Sequence, residues 1–388
     1  MWSRLHSRIA ICAALCALTG PERAVSHETL TTTVLFDREI VRILNKHCVM
    51  CHVENGPSFP LATYEQTWLK ARKIRAEAIA RHMPPWSAFP GYGQFANDNG
   101  LTLRETQFIV SWVEGSGPRN AGTVFTNTAD PNAVRRKEVR AEANFGRWQL
   151  GEPQMKRELP SNTIEPQQGD DVRRTVVDLG LTSERRLQAL EYMPGDRRVV
   201  RAAFFTVQET GQWIGGWTPW YGYLKLPGGS SWRLPAGSHV VAEIYYRGAK
   251  ERVVDRGTLG LFFADKPSTG AVSDLVLEAK GEVAAGQKFR AGTRLAADTE
   301  ALALRVASQA DVQSIEVSAR KPDGTTEVML FEKNIRDDWP TPYIFKDPVS
   351  LPRGTELFVV AHYGNNGAVA RAGGVRVTIS TAQKSGGK

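Results

Sequence analysis

The sequence predicts a multidomain protein with a small all-α domain followed by two all-β domains, each an antiparallel, jelly-roll-like β-sandwich. Apolar residues at helical spacing and helix-capping patterns are concentrated in residues 27–120. Residues 145–268 and 269–388 instead contain short alternating runs bounded by Pro, Gly, Asp and Asn. Residues 121–144 lack apolar periodicity and predict a linker. With 388 residues, 41% of them hydrophobic, the chain can form several cores.

Residues 1–26 have the pattern of a secretory signal peptide. Arg4 and Arg8 precede an apolar run from Ile9 to Leu18, and the small residues Ala24 and Ser26 offer a cleavage site before His27. This run is too short to span a bilayer, which takes about 20 apolar residues. We expect a periplasmic or otherwise exported protein with no transmembrane segment in its mature chain. An uncleaved N-terminal anchor is the alternative.

Charge and cysteine content argue against nucleic-acid binding and against disulfides in the sandwiches. The formal net charge of +8 is not concentrated in a Lys/Arg block, so we expect no nucleic-acid binding. A redox partner protein, whose identity the sequence does not give, is compatible with this charge. Cys12 and Cys16 lie in the signal, which leaves Cys48 and Cys51. Exported proteins usually place cysteines in structural disulfides, and the predicted sandwiches have none.

Three helices are predicted in the N-terminal part. The first precedes Cys48, and its apolar face comprises Phe36, Ile40, Ile43 and Leu44. The pattern Thr63-x-x-Gln66 is a capping box that starts a second helix, which should stop before Met83-Pro84-Pro85. Thr102-x-x-Glu105 is a second capping box, and Gly115 should end that helix.

The two remaining cysteines belong to the pattern Cys48-Val49-Met50-Cys51-His52, which is the spacing that attaches a c-type haem. The cysteines would form thioethers with the porphyrin, and His52 would bind iron as the proximal ligand. A thioredoxin-like dithiol would need a strand before the motif, and a zinc site would need a second pair of ligands. The sequence offers neither, so we predict one covalent haem.

The sixth iron ligand has several candidates. Met83 follows the predicted second helix and is itself followed by two prolines, which favours a thioether ligand. His82 and His47 are also near, and an open or water-bound position is a further alternative. We favour Met83 over His82, and we interpret His47 as a surface residue.

The C-terminal part contains strand patterns and a hairpin turn. Alternating apolar runs are found at 173–179, 187–193, 199–207, 239–246, 258–263, 302–306, 314–319, 356–363 and 375–379. Pro322-Asp323-Gly324 is a turn between two of these runs. We place the boundary between the sandwiches near residues 266–271.

Motifs distributed over nearly the whole mature chain resemble those of a known protein family. In the N-terminal part they are Phe36-x-x-x-Ile40, Cys48-x-x-Cys51-His52, Leu61-x-Thr63-Tyr64-Glu65, Met83-Pro84-Pro85-Trp86, Leu101-Thr102 and Trp112-Val113-Glu114. In the C-terminal part they are Trp148-x-Leu150-Gly151-Glu152-Pro153, Glu191-x-x-Pro194-Gly195, Gly216-Trp217-x-Pro219, Leu234-Pro235-Ala236-Gly237-Ser238, Gly260-Leu261-x-Phe263 and Leu351-Pro352-x-Gly354-Thr355. The chain resembles a class I c-type cytochrome module fused to a copper type II, ascorbate-dependent (peptidylglycine) monooxygenase-like double sandwich. This resemblance implies His52 and Met83 as iron ligands.

The chain departs from that family at the copper ligands. A His-His pair is expected where Arg201-Ala202 stands, and a histidine is expected where Tyr245-Tyr246 stands. A His-x-His element is replaced by residues 307–310, and no methionine follows Met329. Two histidines remain after His82, His239 and His362, which are too few for two copper sites. We therefore do not expect copper.

The leading hypothesis is an electron carrier rather than an enzyme, with the sandwiches used for docking or positioning. A copper monooxygenase fed by its own cytochrome is one alternative. Another is a binding protein that uses the aromatic segment 213–223, although we favour packing for these rings. We interpret the pairs Arg185-Arg186 and Arg197-Arg198 as solvated charges at sheet edges.

Overall fold

The fold comes from a computed structural model that describes most of the chain. The described residues are 32–120, 146–226, 230–264, 270–283, 287–308, 312–336, 338–364 and 371–383. The predicted signal peptide, residues 1–26, and the predicted linker, residues 121–144, lie outside them. No helix in the described ranges is long and apolar enough to cross a membrane.

Four short α-helices lie in the described N-terminal part. A π-helical turn, Phe36–Ile40, continues directly into the first of them. The helices are α1 (Val41–His47), α2 (Tyr64–Trp68), α3 (Ala71–Ala80) and α4 (Leu103–Glu114). Both predicted capping boxes are confirmed: Thr63 caps α2 with Gln66, and Thr102 caps α4 with Glu105. The predicted second helix is two helices, and it ends at Ala80, earlier than expected.

The helices pack around a small apolar cluster of their own. Phe36 and Trp112 are almost completely buried, and their ring centroids lie 5.9 Å apart. The ring of Tyr64 meets Phe36 edge to face at 5.3 Å, and its hydroxyl donates to the carbonyl of Gly117. The cluster thereby packs the π-helical turn, α2 and α4 against one another.

The rest of the described chain is almost entirely β-structure. The strands of the first sandwich are β1 (Met155–Glu158), β2 (Asn162–Ile164), β3 (Asp171–Asp178), β4 (Arg185–Met193), β5 (Val200–Val207), β6 (Trp213–Trp217), β7 (Tyr223–Lys225), β8 (Ser230–Leu234), β9 (His239–Tyr246), β10 (Val253–Asp255) and β11 (Thr258–Phe263). Those of the second are β12 (Gly270–Val283), β13 (Lys288–Arg294), β14 (Thr299–Ser308), β15 (Val312–Arg320), β16 (Thr326–Lys333), β17 (Pro342–Leu351), β18 (Glu356–Tyr363) and β19 (Arg371–Gln383).

One sheet runs through both sandwiches. Its strand order is β1-β11-β4-β8-β12-β19-β14-β17, and β7 pairs with β4. The sheet β3-β9-β5-β6 covers one half, and the sheet β13-β18-β15-β16 covers the other. The halves meet where β8 and β12 pair in parallel, at Ser230–Gly270 and Ser231–Ala271. The two sandwiches therefore share a continuous sheet.

Polar contacts reinforce this junction. The carboxylate of Asp274, on β12, accepts hydrogen bonds from the Trp213 amide at 2.6 Å and from the Ser380 hydroxyl at 2.9 Å. Arg305, on β14, forms an ion pair with Glu243, on β9, at 2.8 Å. Because Glu243 is largely shielded from water, this pair is screened less than a surface pair. The junction is thus held by backbone pairing and by partly buried charges.

The predicted small all-α domain is wrong. Strands account for 48% of the structure and helices for only 13%, and the helices are short. In addition, residues 86–97 pack on the second sandwich, so they do not complete a separate helical unit. Trp86 and Phe95 belong to the apolar core of that sandwich. Capping and periodicity predicted helices correctly, but they carried no information about where the chain between those helices would pack.

We call residues 86–97 the bridging segment. Ala88 pairs with Glu332 of β16, and Phe95 pairs with Phe345 of β17, both in antiparallel fashion. Four backbone hydrogen bonds support these contacts: Phe89 to Phe331, Lys333 to Ser87, Ala96 to Ile344 and Lys346 to Gln94. The bridging segment therefore adds extended backbone to two strands of the second sandwich.

Aromatic packing and a buried amide complete the attachment. The ring of Tyr343 lies 5.1 Å from that of Trp86 and 5.2 Å from that of Phe95. The side chain of Asn97 is 2% exposed; it donates to the carbonyl of Pro342 at 2.6 Å and accepts from the amide of Ile344 at 3.0 Å. Since this amide group lies out of water, these bonds fix the end of the segment.

We expect the substitution Phe95→Ala to lower the free energy of unfolding by about 3–5 kcal/mol, as for other buried Phe-to-Ala changes. Phe95 packs against Trp86, Tyr343 and Phe345. Urea unfolding followed by far-UV circular dichroism measures the change. The control is Leu69→Ala, because Leu69 is 80% exposed. Equal, small effects of the two substitutions would show that the bridging segment is only loosely attached.

Candidate haem site

The haem-attachment motif forms the turn that follows α1. The amides of Cys51 and His52 both donate to the carbonyl of Cys48, at 3.1 and 3.0 Å. The carbonyl of His52 in turn accepts from the amide of Leu61 at 2.8 Å. The motif is therefore held in one conformation from both sides, and its side chains line a common cavity of about 150 Å³.

The two thiols are free and share this cavity. Burial raises the pKa of Cys48 to about 12 and that of Cys51 to about 11. Reactive dithiols have the opposite property, a lowered pKa that supplies the thiolate. These cysteines accordingly do not have the electrostatic environment of a thioredoxin-like redox pair.

His52 is oriented by a backbone carbonyl. Its Nδ1 lies 2.9 Å from the carbonyl oxygen of Phe59, so this nitrogen donates and Nε2 keeps its lone pair. Ligating histidines commonly use such a bond to fix their tautomer and ring orientation. Burial lowers the pKa of His52, which favours the neutral imidazole that metals bind. The ring of Phe59 supports the imidazole at 4.8 Å.

The structure places Met83 and His47 on the same cavity, whereas His82 does not line it. Met83 lines the cavity together with Cys48, Cys51 and His52. The side chain of His82 is 54% exposed and lies 3.3 Å from Glu77. Met83 is thus one of two thioether side chains in the cavity with His52; the other, Met50, lies within the motif itself.

His47 is buried, so its interpretation as a surface residue is wrong. It is only 4% exposed. Its Nδ1 lies 3.0 Å from the Asn99 carbonyl oxygen, and its Nε2 lies 3.2 Å from a carboxylate oxygen of Glu105. Because both ring nitrogens are engaged, His47 joins α1 to the start of α4, and binding a metal would break one of these contacts.

The bridging segment fixes the backbone that follows Met83. Pro84 and Pro85 also line the cavity, and Trp86 is the first residue packed in the second sandwich. At the other end of the segment, the carbonyl of Asn97 accepts from Nε1 of Trp220 at 3.1 Å. The position of Met83 therefore depends on both sandwiches.

Both sandwiches also supply walls of the cavity, which sequence reasoning missed. The wall residues from the first sandwich are Arg201, Trp220 and Arg247, and those from the second are Arg336 and Trp339. They are remote from the motif in sequence, so spacing could not reveal them. The one available signal is that Arg201 stands where the resemblance expected a copper-ligand histidine. Arg197, interpreted as a solvated edge charge, is also partly buried beside Cys51.

The residues present fit a c-type haem. Two thiols, an imidazole with a free Nε2 and a thioether meet in one cavity, which is the donor set that such a haem uses. Two buried donors nearby, Nε1 of Trp339 and Nε of Arg201, have no hydrogen-bond partner among the described residues. A second cavity of about 370 Å³ adjoins at Met83 and Pro84 and is lined by the end of α3, the start of α4 and the chain between them.

The aromatic segment 213–223 is largely used for packing. Trp213 and Trp217 are 2% and 3% exposed in the core of the first sandwich. Trp220 contacts the bridging segment, and its ring centroid lies 6.5 Å from that of Trp339. Packing thus accounts for these three rings, as the sequence favoured.

The two histidines of the sandwiches lie on separate sheets. His239, on β9, bonds to Glu209 at 2.8 Å, and His362 lies on β18 of the second sandwich. Within the described ranges, no group of three or more His, Cys, Asp or Glu side chains is arranged to hold a metal ion.

No protein-family model and no curated protein matches this chain. Among solved structures, the major capsid protein P2 from bacteriophage PM2 is 7% identical, with a TM-score of 0.25, over 59% of this chain and 100% of its own. The STIV MCP is 8% identical, with a TM-score of 0.28, over 58% and 96%. A conserved protein of unknown function from Pseudomonas aeruginosa PAO1 is 9% identical, with a TM-score of 0.15, over 58% and 98%. Likeness at these scores carries no argument about this chain.

We expect Glu105→Gln to cost about 1–2 kcal/mol of stability at pH 7, through the loss of charged capping bonds. Burial alone would raise the pKa of Glu105, but hydrogen bonds from Thr102 and His47 lower it to about 2. A carboxyl group whose pKa is lower in the folded state than in the unfolded state stabilises the fold at pH values above its unfolded pKa. This stabilisation is lost as the pH falls toward 2. The difference from wild type should therefore vanish between about pH 5 and pH 2.

Urea titrations at several pH values measure this effect. The control is Glu114→Gln at the exposed end of the same helix, which should cost little at either pH because exposed pairs contribute little. A cost of Glu105→Gln that is the same at pH 2 and pH 7 would contradict the assigned network.

Proposed function

We propose that this protein is an exported monohaem c-type electron carrier. Cys48 and Cys51 hold the haem covalently, His52 is the proximal iron ligand and Met83 is the distal ligand. It exchanges single electrons with a redox partner protein. The two sandwiches, which we interpret as a monooxygenase-like scaffold without its copper ligands, position the haem site.

The observation that carries this proposal is the meeting of four side chains in one cavity. His52 and Met83 are well separated in sequence, and the second sandwich holds the backbone that follows Met83. The bond from His52 to Phe59 leaves Nε2 available, and Met83 contributes a thioether to the same cavity from a distant part of the sequence. A His/Met pair is a ligand set of electron-transfer haems, because two strong ligands leave no open position for substrate.

The chain's own residues orient the iron-binding imidazole and set the reduction potential of the bound haem. When bound, the haem supplies the one-electron couple. Burial keeps His52 neutral by lowering its pKa, and the Phe59 carbonyl increases the basicity of its Nε2. A thioether from Met83 favours the reduced state and raises the potential. Trp220 and Trp339 add aromatic surface to the lining of the cavity.

We expect the purified protein to contain one covalent haem per chain, with a low-spin spectrum and a weak methionine–iron charge-transfer band at the red end. Met83→Ala should abolish that band and lower the reduction potential, because the thioether that stabilises the reduced iron is lost. The matched control is His82→Ala, which removes the neighbouring exposed side chain and should leave both unchanged.

Three results would overturn parts of this proposal. Persistence of the band in Met83→Ala would exclude Met83 as ligand. Protein from the native host without covalent haem would refute the function itself. Stoichiometric copper in metal analysis would favour a monooxygenase instead.

A further inference from the structure

The part of the cavity lining that comes from the sandwiches is basic. Arg201 and Arg247 line it from the first sandwich, and Arg336 lines it from the second. Asp170 and Asp338 bond to Arg201, and Asp338 also bonds to Arg336. These carboxylates leave an excess of positive charge among the described lining residues.

Arg247 makes no direct ion pair within the described part of the chain. Its guanidinium group is half-buried and lies close enough to Arg201, Asp170 and Cys51 to interact with them electrostatically. Asp170 is already bonded to Arg201, so it does not neutralise both cations. Holding a cation near a second cation and out of water is unfavourable unless an anion is bound there. The position of Arg247 therefore calls for a negative group in the cavity.

Two buried donors at the same wall point to the same kind of group. Nε1 of Trp339 and Nε of Arg201 are shielded from solvent and have no acceptor among the described residues. Arg201 and Arg336 lie over the Trp339 ring, at 5.5 and 6.0 Å from its centroid. Buried donors in folded proteins nearly always have a partner, so an acceptor that the chain does not supply is expected here.

We infer that Arg201, Arg247 and Trp339 bind the propionate carboxylates of the haem that Cys48 and Cys51 attach. This inference rests on the proposed function, since that haem is its ligand. A guanidinium group suits a carboxylate because its donors match two oxygens, and an indole N–H can complete a second bond. The haem propionates would then connect the helical segment to both sandwiches, because Arg201 and Arg247 belong to the first sandwich and Trp339 belongs to the second.

The binding also tunes the potential. A propionate paired with Arg247 imposes less negative charge on the iron than an unpaired one. Arg247→Gln should therefore stabilise the oxidised state and lower the equilibrium constant for reduction by about tenfold, a fall of about 59 mV for a one-electron couple. Trp339→Phe keeps an aromatic ring and removes one hydrogen-bond donor. The equilibrium constant for reduction should therefore fall by about threefold.

The test compares both variants with Arg198→Gln in the intact haem-loaded protein. This control removes the same charge, but Arg198 is exposed and paired with Asp196 and Glu251. The readouts are the reduction potential and the propionate bending mode in resonance Raman spectra, whose frequency reports hydrogen bonds to the propionates. Wild type and Arg198→Gln should agree, and both cavity variants should shift the mode and the potential.

Each outcome supports or overturns the assignment. Unchanged propionate modes in both variants would overturn it, even if the potential moved, because the arginines would then act only through their field. If Arg247→Gln does not fold, Trp339→Phe alone decides through its mode shift. Absence of covalent haem in the wild type would refute the proposed function, and this result is distinguishable from unchanged modes.

Discussion

The attachment of the bridging segment to the second sandwich is the contact on which the rest of the site depends. Extended backbone pairs with β16 and β17, and the buried Asn97 amide bonds to both neighbours of Tyr343. Met83 lies shortly before Trp86, the first anchor of this segment. Because the turn after α1 carries the motif and the second sandwich holds the residues after Met83, the cavity exists only when both parts are folded and in contact.

In this arrangement the sandwiches complete the cavity that the helices begin. A few short helices with one small apolar cluster cover one side of the cavity. The sandwiches add aromatic and basic walls on the other side, and the shared sheet and Asp274 hold the two sandwiches in a fixed relation. A cavity bounded by low-dielectric protein strengthens the interactions of the charges that face it, so the arginines of the wall would act on a group bound there more strongly than surface charges would.

Local chemistry made part of this structure predictable. The capping boxes at Thr63 and Thr102 mark helix starts because their bonds are made within one turn, and alternation marks strands because side chains alternate across a sheet. Spacing and residue type predicted the motif side chains and Met83 as one site, and the fold brings them to one cavity. The prediction of an all-α domain was wrong because the bridging segment is neither helical nor alternating in sequence. Its partners on β16 and β17 lie near the other end of the sequence. Arg247 and Trp339 were missed for the same reason: only the tertiary fold brings them to the motif.

One measurement on the intact protein tests the central claim most directly. Urea unfolding is followed by the methionine–iron charge-transfer band and, in the same samples, by the far-UV circular dichroism of the sheets. If the second sandwich holds Met83 in place, the two signals disappear in one coincident transition, as expected for a single cooperative unit. A band that persists after the sheet signal is lost would show that the helical segment holds the site alone, and would contradict the account.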